Sequence, residues 1–504
     1  MLSIFLIMSP ADPSDGILKT LDDSGLRKGH IKTMIVAGMG FFTDAYLLFV
    51  LTVAMPILAS PAGFNLKVTA SGSTVLFGYQ VANLSVVEGA ITSAALFGAF
   101  AGAFIFGNIS DRMGRKAVYG MELGIIIAFT VISAFSVNST MLVISRFLLG
   151  IGVGGDYPIS STIMSEYSSS KHRGKLVGMV FAMQGLGLLA GALVGLVAIY
   201  TIPLSYSWRF MLGFGAVPAF YVVYLRRKML ETPRFSLQVR GNAEYASRAT
   251  RTIVGGNAAE ITETVNPVSK KTDYSGLLRK YMTFILGTSI TWFIFDMAFY
   301  GTTLNNSFIL NNIGYGTAGS LKTAVTNTAI GDTVLAAAFA VPGYFIAVAT
   351  VDIVGRKALQ WFGFLVMAVS YLVLGIFYNT LENNVGLFIT VFGISYLFGN
   401  IGPNTTTFIL PTELFPTEIR ATAHGIASSV AKLGAGIFTF LFLILGFALG
   451  QAGEFELLAL FSTLGAVITL FTIRETKGLP LELTSLEPSK GIIGFDPYED
   501  YTDR

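Results

Sequence analysis

The chain has 504 residues, 53% of them hydrophobic and 12% charged, with a mean hydropathy of +0.66 and a formal net charge of +3. Soluble domains carry about a quarter of their residues as Asp, Glu, Lys or Arg, so this composition excludes a disordered chain, a collagen-like fibre and an ordinary soluble globule. There is no Cys, which also excludes disulfides, thiolate metal sites and a Cys nucleophile. The basic residues fall in short scattered clusters and make no nucleic-acid surface.

In chain order, residues 1–30 read as a disordered cytoplasmic tail. Met1–Pro10 is apolar but lacks the basic start of a signal peptide, and Ala11–His30 is polar. Apolar runs of bilayer length follow. There are twelve, at about 31–59, 88–109, 117–136, 141–167, 176–200, 208–225, 281–310, 328–351, 358–378, 385–411, 421–448 and 454–473. Alternating ten-residue segments of a β-barrel would look different. The expected fold is therefore an all-α membrane protein of two six-helix bundles, residues 31–225 and 281–475. Between them lies a basic polar linker, 226–280, expected to carry short surface helices, and 476–504 reads as a second cytoplasmic tail. Basic residues set the orientation. With both termini inside, the outer loops hold only Lys67, Arg209 and Lys322, while the Arg and Lys clusters at 112–116, 171–175, 226–228 and 356–357 face inward.

A charge at the bilayer centre is costly and needs a partner or a function. Asp44 in span 1, Asp156 in span 4, Asp296 in span 7 and Lys432 in span 11 all sit near the middle of their spans. Four such groups at one depth point to a shared cavity. Trp292, Asp296 and Tyr300 lie at i, i+4 and i+8 and so share a helix face. Tyr157 follows Asp156, Gln184 lies in span 5, and Asn404 opens a polar run in span 10. Gly402-Pro403 is expected to break that helix and free backbone groups for a ligand. Other embedded charges read as structural. Glu88 and Arg146 fall near outer helix ends, where snorkelling is cheap; Glu122 is expected to pair with the Arg112–Lys116 loop; Asp332 lies in the outer part of span 8.

The halves repeat. Asp111-Arg112-Met-Gly114-Arg115-Lys116 after span 2 matches Asp352-Ile-Val-Gly355-Arg356-Lys357 after span 8, an offset of 241 residues from 111 to 352. Glu166 precedes Arg173 by seven residues, and Glu413 precedes Arg420 by the same seven, an offset of 247 from 166 to 413. Such a repeat implies a duplicated bundle with a ligand path between the halves. The G-x-x-x-D-R-x-G-R-K loop and its weaker copy resemble the signature of the major facilitator superfamily, over residues 30–475. That resemblance implies a cytoplasmic latch of ion pairs at Asp111, Arg112, Arg115, Glu166, Arg173, Asp352, Arg356, Glu413 and Arg420.

More locally, Gly154-Gly155-Asp156-Tyr157-Pro158, Ala182-Met183-Gln184-Gly185, Trp292-x-x-x-Asp296-x-x-x-Tyr300-Gly301, Gly402-Pro403-Asn404 and Phe41-Phe42-Thr43-Asp44 resemble the phosphate:proton symporters. The resemblance implies a phosphate site lined by Tyr157, Gln184, Trp292, Asp296, Tyr300, Asn404 and Lys432, and proton carriage by Asp44 and Asp156 together with Asp296. Where that family commonly has a second Asp in span 1, this chain has Leu47.

The charges also suggest a mechanism. With three carboxylates and one ammonium ionised, the midplane carries −2 and repels an anion in a medium of low dielectric. Protonating two Asp removes the excess, and a protonated Asp296 donates a hydrogen bond. Proton and phosphate binding then favour each other. The expected protein is a plasma-membrane importer that acts as a monomer and uses no cofactor. Symport of another small anion (a carboxylate or sulfate) or of a sugar is the alternative within transport. A non-transporting nutrient sensor would be expected to carry a long cytoplasmic extension, and an enzyme would need a nucleophile and base that only three His scarcely offer.

Overall fold

The computed structural model describes residues 13–76, 79–255, 273–315 and 319–485. The first twelve residues, linker residues 256–272 and the end of the C-terminal tail from 486 lie outside them. Among the described residues, eleven helical runs are long and apolar enough to cross a bilayer. Spans 1 to 6 are Lys28–Ala59, Asn83–Met113, Arg115–Ala134, Ser139–Tyr167, Arg173–Thr201 and Leu204–Arg226. Spans 7 to 10 are Met282–Thr303, Leu321–Val354, Arg356–Ile376 and Val385–Leu414. The last run, Arg420–Thr472, has 53 residues. Drawn straight it would reach about 80 Å, against roughly 30 Å of hydrocarbon. It folds back instead. Gly450 takes φ 70° and ψ 167° inside it, a conformation that favours glycine. Beyond that break Phe461 returns to within 6.0 Å of Phe438. Spans 11 and 12 are thus its two arms, and the expected twelve are present.

Small residues let the helices touch. A Cβ on Gly107 of span 2 would come 3.0 Å from the Gly425 Cα of span 11, and one on Gly425 would come 3.1 Å from the Gly107 Cα. The two bundles therefore meet backbone to backbone at this point, as small residues permit in lipid.

Three local features depart from the sequence reading. The N-terminal tail is helical over Pro13–Asp22. Its Ile17 and Leu18 bury against Leu237, Ala243 and Ala246 of the linker, so an amphipathic stripe replaces the expected disorder. The linker carries helices at Ala243–Val254 and Tyr274–Lys280, as its sequence suggested. Between spans 1 and 2, Ser73–Leu76 and Tyr79–Ala82 form an unanticipated antiparallel hairpin. Span 10 does not break at Pro403 but loosens into a π turn over Asn400–Asn404. Thr405, Thr406 and Thr407 donate to the carbonyls of Asn400, Gly402 and Pro403 at 2.8, 3.0 and 2.7 Å. The backbone groups expected to meet a ligand are already satisfied by the chain's own hydroxyls.

Candidate functional site

Span 7 presents Trp292, Asp296 and Tyr300 on one face, and span 11 brings Lys432 to it. Lys432 Nζ donates to Asp296 Oδ2 at 2.7 Å and lies 3.4 Å from the Tyr300 hydroxyl. The ammonium also sits 4.2 Å from the ring centre of Tyr157, 4.5 Å from Tyr300 and 5.8 Å from Trp292, an aromatic setting that favours a cation. Tyr157, from the first bundle, shares a hydrogen bond of 3.0 Å with Tyr300 from the second. Gln184 Nε2 reaches the same hydroxyl at 3.4 Å. Asn404 donates to the Tyr344 hydroxyl at 2.7 Å and to Asn400 Oδ1 at 2.6 Å. All seven residues expected to hold substrate are buried. Three of their polar atoms, Trp292 Nε1, Gln184 Oε1 and Asp296 Oδ1, make no hydrogen bond of good geometry, the Trp292 N–H lying toward the Asp296 carboxylate. Buried polar atoms are normally paired, so this chamber offers unused donors and acceptors beside a cation.

The four midplane charges do not converge on one cavity. Asp156 and Tyr157 are adjacent on span 4 and point apart. Asp156 accepts from Arg226 Nη2 at 2.7 and 2.8 Å and from the Ser160 hydroxyl at 2.5 Å. Arg226 also pairs with Glu122 at 2.5 Å and stacks 3.9 Å over the Tyr119 ring. Glu122 therefore does not pair with the Arg112–Lys116 loop. It turns inward where Gly120 interrupts span 3 and accepts the Gly120 N–H at 2.8 Å. Asp44 faces Asp156, Arg226 and Glu122, with its carboxyl turned to that of Asp156 and no cation bonded to it. A Cβ on Gly40, one turn before Asp44, would collide with both Arg226 Nη2 and Asp156 Oδ2. Inside the first bundle the sequence thus places three carboxylates around one guanidinium, while in the chamber Lys432 and Asp296 neutralise each other.

Arg226 and Tyr344 were missed in the sequence. For Arg226 a signal existed: Ala219, Val222 and Arg226 lie on one buried helix face, so Arg226 points inward where Arg227 and Lys228 do not. Arg146 does not snorkel either. It is 1% exposed and donates to the Leu47 carbonyl at 2.7 Å.

At the linker end a network joins the bundles with near two-fold symmetry. Arg115 pairs with Asp111 at 3.0 Å and Glu166 at 2.9 Å, and Arg420 crosses from the other bundle to Glu166 at 3.0 Å. In the copy, Arg356 pairs with Asp352 at 2.9 Å and Glu413 at 2.8 Å, and Arg173 crosses to Glu413 at 3.0 Å. Asp111 accepts the N–H groups of Ala421 and Thr422 at 3.2 and 2.6 Å, and Asp352 accepts that of Lys175 at 2.8 Å. Each Asp thus meets the positive end of a helix in the opposite bundle. Arg112 is the exception among the expected latch residues. It is exposed and lies over the Tyr274 ring at 5.8 Å.

The tails reinforce this end. Arg234 holds Asp22 through two 2.9 Å hydrogen bonds and Glu482 through one of 3.0 Å. Burial alone would push the Glu482 carboxyl up, but Arg234 beside it holds it down at about 2.

Two duplicated bundles, latched by a twice-written D-x-x-G-R-K loop around a buried chamber, form a known architecture. The profile of the sugar (and other) transporter family matches residues 33–486. The chain belongs to this family of the major facilitator superfamily. Within it, the chain is 36% identical to the probable inorganic phosphate transporter 1-6 of Arabidopsis thaliana over 94% of its own length and 97% of the relative's. It is 33% identical to the inorganic phosphate transporter PHO84 of Saccharomyces cerevisiae, over 92% and 86%. Among solved structures, the proton:xylose symporter XylE superposes with a TM-score of 0.72 at 21% identity, covering 90% of this chain and 98% of XylE. At that identity the likeness concerns the fold. This family member is a multi-pass membrane protein.

Proposed function

We propose that the chain imports inorganic phosphate together with protons across a plasma membrane, as a monomer with both termini cytoplasmic, by rocking its two bundles about the central chamber. The observation that carries this reading is the buried Lys432–Asp296 pair at 2.7 Å, set beside the Trp292 N–H and the unpartnered Gln184 Oε1. The names of the relatives, inorganic phosphate transporters, support the choice of anion.

Phosphate competes with Asp296 for Lys432. A proton on Asp296 frees the ammonium for the anion and turns the carboxyl into a donor. Tyr157, Tyr300, Gln184, Asn404 and the Trp292 N–H supply neutral partners. Asp44 is the entry point of the proton, because no cation is bonded to it, and Asp156 relays it while Arg226 holds Asp156 in place. Reciprocal linkage then makes proton and phosphate binding cooperative. The ion pairs of Asp111, Arg115, Glu166 and Arg420, with Asp352, Arg356, Glu413 and Arg173, close the cytoplasmic side. The chain carries out no covalent step in this scheme and needs no cofactor.

Uptake of labelled phosphate into liposomes under an imposed pH gradient, with and without an uncoupler, tests the reading. Accumulation that collapses with the uncoupler is expected. Accumulation that ignores the gradient, or that sulfate, a carboxylate or xylose competes away as well as phosphate does, overturns it.

A further inference from the structure

Directly beyond the chamber, away from the linker end, lies a second polar cluster between the bundles. Three helix faces lead to it. On span 1 Phe49, stacked on Tyr300 at 5.8 Å with planes 7° apart, is followed one turn later by Thr52. On span 5 Gln184 is followed by Leu188 and Ala192, and on span 7 Tyr300 by Thr303. Phe49, Thr52, Leu188, Ala192 and Thr303, with Asn306 and Asp332, line a cavity of about 10 Å³, room for about one water and far too small for a phosphate ion.

Asp332 is 5% exposed, and among the described residues its oxygens take neutral donors only. Thr52 of the first bundle donates to Oδ2 at 2.6 Å, and Asn306 of the second donates to Oδ1 at 3.0 Å. Tyr396 of span 10 donates to Asn306 Oδ1 at 2.9 Å and completes the cluster. The Thr52–Asp332 bond thus crosses the bundle interface on the path from the chamber, opposite the ion-pair network. A hydroxyl donating to a carboxylate is among the stronger hydrogen bonds. The Thr52 hydroxyl also lies 2.8 Å from the Phe49 carbonyl of its own helix, and Leu188, Ala192 and Thr303 complete the wall.

We propose that the Thr52–Asp332 hydrogen bond is the outer closure of the transport path, and that Asp332 is a positioning residue which holds the two bundles together at that end. The inference rests on the alternating-access reading above, but its test needs no phosphate.

The chain has no Cys, so an Ala192→Cys variant carries one thiol, in the cavity wall. In this background the thiol should react slowly with a membrane-impermeant methanethiosulfonate added from outside. Thr52→Val, which removes the hydroxyl and keeps the shape, should raise that rate roughly tenfold, and Asp332→Asn should raise it too. Spin labels placed at Lys67 and Lys322 should show a longer distance population in Thr52→Val than in the parent. An unchanged labelling rate and unchanged distances in Thr52→Val would overturn the proposal, even if Asp332→Asn failed to fold. If the labelling shift appeared in a chain that moves no phosphate, the substrate reading would fail and the closure would stand.

Discussion

The latch and the centre of this molecule treat the same gene duplication in opposite ways. At the latch every major partner has a counterpart: Asp111 and Asp352, Arg115 and Arg356, Glu166 and Glu413, Arg173 and Arg420, each making the same kind of contact. At the centre the same offsets match Glu122 to Gly363, Asp156 to Pro403, Tyr157 to Asn404 and Gly185 to Lys432. In the first bundle Glu122 and Asp156 are joined through Arg226. In the second, Gly363 lies so close to Pro403 that a Cβ would collide with its ring. An ion triad on one side is a bare packing contact on the other. Conversely, Lys432 has a glycine as counterpart, and a Cβ on Gly185 would press the Tyr344 ring at 2.7 Å. The difference teaches that symmetry is kept where ion pairs join the two halves and is lost in the interior of each. Three carboxylates around one guanidinium lie in the first bundle, and the Lys432–Asp296 pair lies in the second.

The largest test of that asymmetry is Arg226→Leu. It leaves Asp44, Glu122 and Asp156 without a cation, and breaking a buried pair from one side costs ~3–5 kcal/mol. Detergent-purified variant should unfold at a clearly lower temperature than wild type. The equivalent disturbance of the second half, Gly363→Ala, should act through steric strain alone and show no change with pH. Equal pH dependence in both variants would break the comparison.

Next comes Lys432→Ala, which leaves Asp296 unpaired and takes the cation from the chamber. Charge-assisted bonds are worth ~1.5–3 kcal/mol, so phosphate uptake in proteoliposomes should fall about tenfold to hundredfold. Uptake at the wild-type rate would remove the second bundle's assigned role. Asp296→Asn should instead keep some binding and lose the pH dependence of uptake. Third, Glu166→Gln and Glu413→Gln each weaken one crossing ion pair of a symmetric latch. Each should shift the bundles toward the state open at the linker end by a similar factor, about fivefold to tenfold, read from spin-label distances across that end. Unequal shifts would show that the latch, too, has diverged.

The smallest effect concerns the Arg234 clamp. Glu482 sits below its ordinary value, at about 2. A depressed carboxyl contributes its full stability above the ordinary range near 4.5 and loses it only as pH falls toward 2. The distance between labels on the Leu481–Thr484 turn, which carries Glu482, and the linker should therefore stay constant from pH 7 to 5. It should widen in Glu482→Gln even at pH 7. Widening on mild acidification of the wild type would contradict the clamp.

Much of this was legible in the chain itself. Hydropathy determined the spans, the basic residues suggested the orientation, and the spacing of Asp111, Glu166 and their copies announced the repeat, because each of these rests on local periodicity or on charge placed against lipid. The i, i+4, i+8 face of Trp292, Asp296 and Tyr300 was equally local. Only the tertiary structure decided which charges meet. Asp156 and Tyr157 are neighbours in sequence yet turn to different clusters, since successive side chains on a helix point about 100° apart. Arg226 entered the first bundle on a long side chain whose reach no hydropathy window registers. Gly40 matters because of what passes beside it. The sequence determined how many charges the membrane must tolerate, and packing determined their partners, because partnership depends on distances between helices that are far apart in the chain.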